Sequence, residues 1–119
     1  MIRVKRVYEA KESDDGTRIL VERLWPRGLK KEEAGIDEWM KDIAPSDELR
    51  RWFGHKVERW PEFKQRYIEE LPDPKKSQLL EQLIQRAARE DITLVYAARD
   101  TEHNSARVLE ELVAKRLKS

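Results

Sequence analysis

An α/β fold, with a small and partly parallel sheet flanked by helices in a three-layer domain, follows from three features of this sequence. Two segments, Thr17–Trp25 and Ile92–Ala98, have centres that are apolar on both faces, the mark of strands covered on both sides. Before and after the second strand lie stretches whose apolar residues recur every three or four positions, as in helices that bury one stripe. Strand and helix patterns alternating along one chain give helices layered against a sheet.

The first element, Ile2 to Glu9, mixes Val, Ile and Tyr with basic residues in imperfect alternation and predicts a strand with one wet face or end. Ser13 to Gly16 (SDDG) is turn chemistry, because Asp side chains bond nearby amides and Gly accepts positive φ. Thr17–Trp25 then runs through Ile19-Leu20-Val21 into a Trp25-Pro26-Arg27-Gly28 corner. Pro and Gly shape such a turn; an indole and a guanidinium are not needed for it. Lys30 to Ala34 predicts a short helix closed by Gly35. Ile36 to Pro45 reads two ways. Ile36, Trp39, Met40 and Ile43 fit helical spacing, whereas Pro45 disfavours helix in the residue before it and makes Ile43-Ala44-Pro45 extended.

Ser46 has the chemistry of an N-cap, with Asp47 and Glu48 in the first turn and Leu49, Trp52 and Phe53 as the apolar edge, up to Gly54. The next helix starts near Arg59 with Pro61 in its first turn, and Trp60, Phe63, Tyr67 and Leu71 make one stripe. Leu71-Pro72-Asp73-Pro74 breaks it. A third helix, about Lys75 to Arg89, places Leu79, Leu80, Leu83, Ile84, Ala87 and Ala88 on one face. After Ile92–Ala98, a last helix from about Asn104 to Lys118 turns Ala106, Leu109, Leu112, Val113 and Leu117 inward.

Charged residues make up 41% of the 119 positions and hydrophobic ones 39%, so the core must be concentrated on a few faces. This length suits one domain, residues 1–119, with no repeat or linker. The net charge of +1 implies no general attraction to nucleic acid or to an anionic membrane, so any anion binding must be local. No cysteine is present, which removes disulfides, thiolate zinc sites and cysteine nucleophiles. No apolar run approaches the roughly 20 residues of a bilayer span, and the expected setting is the cytoplasm.

Ligands of open α/β sheets gather beyond the carboxyl ends of the strands. Two such ends are legible, Glu22 to Gly28 and Ala98 to Asn104, and they meet if their strands are parallel neighbours. Arg23, Arg27 and Arg99 would then grip a carboxylate or phosphate, with the indole of Trp25 as a flat apolar surface. Asp100, His103 and Asn104 add an acceptor, a titratable ring and an amide. A histidine's reference pKa of about 6.5 suits proton transfer near neutrality, making His103, with Asp100, the candidate acid–base pair. His55 either closes over the same place or follows a helix C-terminus where a cation is welcome. The purely structural alternative pairs Arg99 with Asp100, or either with Arg27, lets Thr101 cap the last helix and puts Trp25 in the core. No metal-ligand spacing and no GxGxxG, GxxxxGK[ST] or GxSxG motif occurs, so no cofactor is assigned.

Taken together, KRVYE, DDGTRILVERLWPRG, IDEWMKDIAPS, ELRRWFG and LVYAARDTEHN resemble the YeaO-like family, a branch of a domain-of-unknown-function family, from about Arg3 to Leu112. The resemblance implies one α/β domain whose motif residues here are Arg23, Trp25, Pro26, Arg27, Gly28, Lys41, Pro45, Ser46, Trp52, Phe53, Tyr96 and Asn104. Family members often carry a histidine after the asparagine matching Asn104. Here Ser105 stands there and His103 precedes the asparagine, which favours anion binding over acid–base chemistry.

The sequence is compatible with three functions. The leading one is a protein that binds a small anionic or phosphorylated ligand at Arg23, Trp25, Arg27, Trp52, His55, Arg99 and Asn104. A second is a nucleic-acid-binding or regulatory module using Arg3, Lys5, Arg6, Lys30 and Lys31. A third is a structural or interaction protein in which Trp25, Trp39, Trp52 and Trp60 anchor a core or interface.

Overall fold

A computed structural model describes residues 1–119. Four strands form one sheet in the order β1-β4-β2-β3, with β1 Ile2–Arg6, β2 Thr17–Leu20, β3 Glu38–Trp39 and β4 Ile92–Tyr96. Every pairing is parallel, so all four carboxyl ends open on the same side. β4 lies between β1 and β2, and all five of its residues are buried, as an uninterrupted ITLVY run requires.

The helices are α1 Asp47–Phe53, α2 Trp60–Glu70, α3 Pro74–Arg89 and α4 Ser105–Lys118. Their buried residues join Ile19, Val21, Ile92, Leu94 and Tyr96 in the main core, so all four helices serve the same face of the sheet. On the other face Leu20 and Val95 meet Val7, Trp25, Leu29 and Ile36, all from loops. The third layer is therefore built from loops and 3-10 turns. Its polar centre is Arg18, fully buried, which donates to Asp15 Oδ2 at 3.0 Å and to the carbonyls of Val7, Glu9 and Ala34.

Most elements fall where periodicity and capping chemistry place them. Ser46 Oγ accepts from Leu49 N at 3.2 Å and caps α1; Asp73 and Asn104 do the same for α3 and α4. Asn104, rather than Thr101, is thus the cap of the last helix. Five expectations need correction. The strand from Ile2 ends at Arg6 rather than Glu9. The strand from Thr17 ends at Leu20 rather than Trp25: Val21 N still donates to Val95 O, but Ala97 N then turns to the Glu22 carboxylate and the ladder stops. The strand from Ile92 ends at Tyr96 for the same reason. Lys30 to Ala34 is a turn with a single i to i−4 bond, too few to offset the cost of starting a helix. Ala88 and Leu117, expected inside, lie on the exposed flanks of α3 and α4. The two-way segment resolves as β3, then a 3-10 turn at Lys41–Ile43, then extended Ala44 before Pro45.

Candidate functional site

At the carboxyl ends of β2 and β4 the chain leaves a cleft of about 250 Å³. Glu22, Arg23 and Leu24 form one wall and Ala98, His103, Asn104 and Ser105 another. The two predicted corners meet there because β2 and β4 are hydrogen-bonded neighbours. The end of α1 and the turn after it close the cleft with Arg50, Arg51, Phe53, Gly54 and His55, and Phe63 of α2 also lines it. A second, more open hollow lined by Arg99 and Asp100 continues outward, sharing Glu22, His55 and Ala98.

Glu22, Arg23 and Arg50 are each held by identifiable contacts. Glu22 is the first residue past the β2 ladder, and its Oε1 accepts from Ala97 N at 3.1 Å. Its backbone carbonyl accepts from the Trp39 indole at 2.6 Å, so it is clamped at both ends. Burial pushes its carboxyl above the ordinary value, offset in part by the Ala97 amide and the charges of His55 and Arg50. Arg23 is braced across the gap: Nε donates to Pro45 O at 3.2 Å and Nη2 to Ala44 O at 3.4 Å. Lys76 donates to the same Ala44 carbonyl at 2.6 Å, and burial, followed by the neighbouring Arg23 charge, holds its ammonium below its ordinary pKa. Arg50 Nη2 donates to Asp47 Oδ1 at 3.3 Å, while its Nε is buried and meets no protein acceptor.

His103 and Asp100 form a positioned pair. Asp100 Oδ1 accepts from the Glu102 and His103 amides at 2.9 and 3.0 Å, and Oδ2 lies 2.9 Å from His103 Nδ1. The Glu102 amide first, then the His103 ring, hold the Asp100 carboxyl below its ordinary value. An ionised carboxylate there favours a proton on Nδ1 and leaves Nε2 as the free nitrogen. The ring stands edge-on to Trp60, with centroids 5.3 Å apart. His55 reaches the cleft by a different route. It follows Gly54 in the left-handed region with φ 59°, an uncommon conformation for a residue with a side chain.

The chain matches, across residues 1–119, the family model described as "Inactive DUF488-N3 subclade". It belongs to that family. Uncharacterized protein Rv3073c of Mycobacterium tuberculosis is 45% identical over 112 residues, 94% of this chain and 92% of its own length. Uncharacterized protein Mb3100c of Mycobacterium bovis matches to the same extent. Uncharacterized protein YeaO of Escherichia coli is 44% identical over 108 residues, covering 91% of this chain and 92% of its own. No solved structure matches.

Within this DUF488-N3 chain, the residues named from sequence divide into three groups. Arg23, His55, His103 and Asn104 line the cleft, and Arg99 and Asp100 the outer hollow. Asn104 is spoken for in part, since Oδ1 caps α4 and Nδ2 donates to Asp100 O at 2.9 Å. Trp25, Arg27 and Trp52 lie elsewhere. The Trp25 indole donates to Leu29 O at 2.7 Å and packs on the loop face against Trp39. Arg27 is exposed beside it, and Trp52 is covered by the guanidiniums of Arg66 and Arg59 at 4.5 and 5.2 Å. The Trp-Pro-Arg-Gly corner thus turns away from the cleft that its first residues help build.

Sequence reasoning passed over Glu22, Arg50 and Arg51. A signal for Glu22 exists in the chain: an acid directly after a fully apolar strand centre stands where ligands of α/β sheets bind. Arg50 and Arg51 carry no such signal, being polar positions of an amphipathic helix until tertiary packing brings that helix across the strand ends. Of the cations in the nucleic-acid reading, Lys5 bonds Glu12 and Asp15, Arg3 the Asp14 carbonyl, and Arg6 the Ala97 and Ala98 carbonyls. No helix is long and apolar enough to cross a membrane.

Proposed function

We propose that this chain is a cytoplasmic protein that binds a small anionic or phosphorylated ligand in the cleft at the carboxyl ends of β2 and β4. One observation carries the reading. Arg23, Arg50 and Arg51 line the cleft with a single carboxylate, Glu22, in a chain whose net charge is only +1. Two histidines and the first turn of α4 add donors suited to the same anion. The word "inactive" in the family description accords with binding rather than turnover.

Thermal unfolding in millimolar sulfate, phosphate and small carboxylates tests this, with Arg50→Gln beside the wild type. A ligand of the native state alone adds about 2.7 kcal/mol at 100 times its Kd. Excluded kosmotropes also stabilise proteins, but without saturation and without regard to Arg50. A saturable shift lost in Arg50→Gln supports the cleft, and equal, non-saturating shifts in both proteins reject it.

A further inference from the structure

A carboxyl group inside an anion site poses a physical problem. If Glu22 stays ionised when an anion arrives, two negative charges share a small, partly dry space, where Coulomb repulsion is weakly screened. Replacing the carboxylate by its acid converts an acceptor into a donor and removes that repulsion. The arrangement of Glu22 suits such a change. Oε1 is engaged by the Ala97 amide, and no protein donor is bonded to Oε2. We propose that Glu22 takes up one proton from solvent when the anion enters, and donates it from its carboxyl as a hydrogen bond to an anion oxygen. The cleft then binds an anion plus a proton.

This inference rests on the anion-binding reading and adds to it a residue that selects for protonation. The groups facing Glu22 come from every neighbouring element. Arg23 follows it in the chain, Arg50 and Arg51 line the same cleft from α1, and His55 does so from the turn beyond. Asp100, His103 and Arg99 approach from the segment after β4, with Asp100 already committed to His103 and two amides. From beneath, the Tyr67 hydroxyl donates to Ile43 O at 2.6 Å, and burial first, then the charges of Glu70 and Glu22, oppose its ionisation. In the free protein burial raises the Glu22 carboxyl above its ordinary value, against the Ala97 amide and the neighbouring His55 and Arg50 charges, which favour the ionised form. An incoming anion neutralises those cations and tips the balance toward the acid.

The probe is sulfate, which itself does not titrate near neutrality. Its affinity is read from amide NMR shifts between about pH 5 and about pH 8, and proton exchange from a pH-stat on adding sulfate to unbuffered protein. Wild type is expected to bind more tightly as pH falls, by up to about tenfold per unit, with a proton absorbed per sulfate bound. Glu22→Gln keeps the shape and always presents a donor, so its Glu22-linked pH dependence and proton uptake disappear while sulfate still binds. Saturable binding with no proton uptake, or uptake unchanged in Glu22→Gln, overturns this inference and leaves the anion reading standing; the second pattern assigns the proton to His55 or His103. Absence of saturable binding at any pH rejects both. Should Glu22→Gln fold poorly, carbon-13 NMR of the Glu22 carboxyl in wild type decides the matter. Sulfate must move its titration midpoint upward, and an unmoved midpoint refutes the proposal.

Discussion

Arg18 Nη1 donates to Asp15 Oδ2 at 3.0 Å, with both side chains shut away from solvent at 0% and 2% exposure. A charge so placed needs pairing and bonded donors, and Arg18 Nη2 spreads over three loop carbonyls while its Nε is buried without a protein acceptor. This pair ties the segments before β2 and β3 to the loop face of the sheet. Arg18→Ala leaves Asp15 half-paired in a dry site and is expected to cost about 3–5 kcal/mol. Urea unfolding measures it; a loss under about 1 kcal/mol would show that water replaces the guanidinium.

The same cluster sets the acid limit of stability. Burial of Asp15 alone would raise its carboxyl pKa, but the amide of Glu12, Arg18 and Lys5 outweigh it and hold it below the ordinary value. For Asp37 the Arg18 amide leads and Lys11 assists in the same direction. Groups depressed in the folded state contribute stability above their unfolded pKa of about 3.9, and lose it as pH falls through the folded values. The urea midpoint should therefore hold above about pH 5 and drop below about pH 4, with a shallower slope in Asp15→Asn. Glu22, raised rather than depressed, works with the opposite sign. An acid limb equally steep in Asp15→Asn would place the lost charge elsewhere.

Gly16 and Gly28 both have positive φ, yet their substitutions should differ sharply. A Cβ at Gly16 would lie 2.0 Å from Asp91 O, the carbonyl that accepts from Thr17 N, whereas one at Gly28 meets nothing within 4 Å. Gly16→Ala is expected to cost about 3 kcal/mol or more, and Gly28→Ala about 1 kcal/mol from backbone strain alone. Paired denaturation curves check the ranking, and equal losses would mean that the turn before β2 shifts freely.

Asp100 should dictate the tautomer of His103. With Nδ1 2.9 Å from an ionised carboxylate, the neutral ring carries its proton on Nδ1. Long-range nitrogen-15 NMR is expected to show that tautomer in wild type and a mixture in Asp100→Ala. The Nε2-protonated form dominating in wild type would contradict the geometry.

Much of this fold was legible because its determinants are local. The stripe Phe63, Tyr67 and Leu71 marks α2 by period alone, and Ser46 marks the start of α1 by its side-chain oxygen. Errors fall where a distant partner decides. Nothing near Glu22 announces that its carboxylate will take the Ala97 amide, 75 residues away, and end two strands at once. The loop face, led by Arg18 and Asp15, was illegible for a related reason: a charged residue in a strand pattern reads as exposed until loops close over it.

By itself the sequence determined the family, the α/β class and the positions of α1 to α4, since periodicity and caps act over a few residues, whereas the meeting of the two polar corners waited on the pairing of β2 with β4. Tertiary structure alone decided the rest. It turned Trp25 and Arg27 away from the cleft, carried Arg50 and Arg51 across it on α1 and His55 on the turn that follows, and placed Glu22 where burial and cationic neighbours act on its charge together. Those are long-range effects of desolvation and Coulomb interaction, and they exist only once segments far apart in the chain share the same dry space.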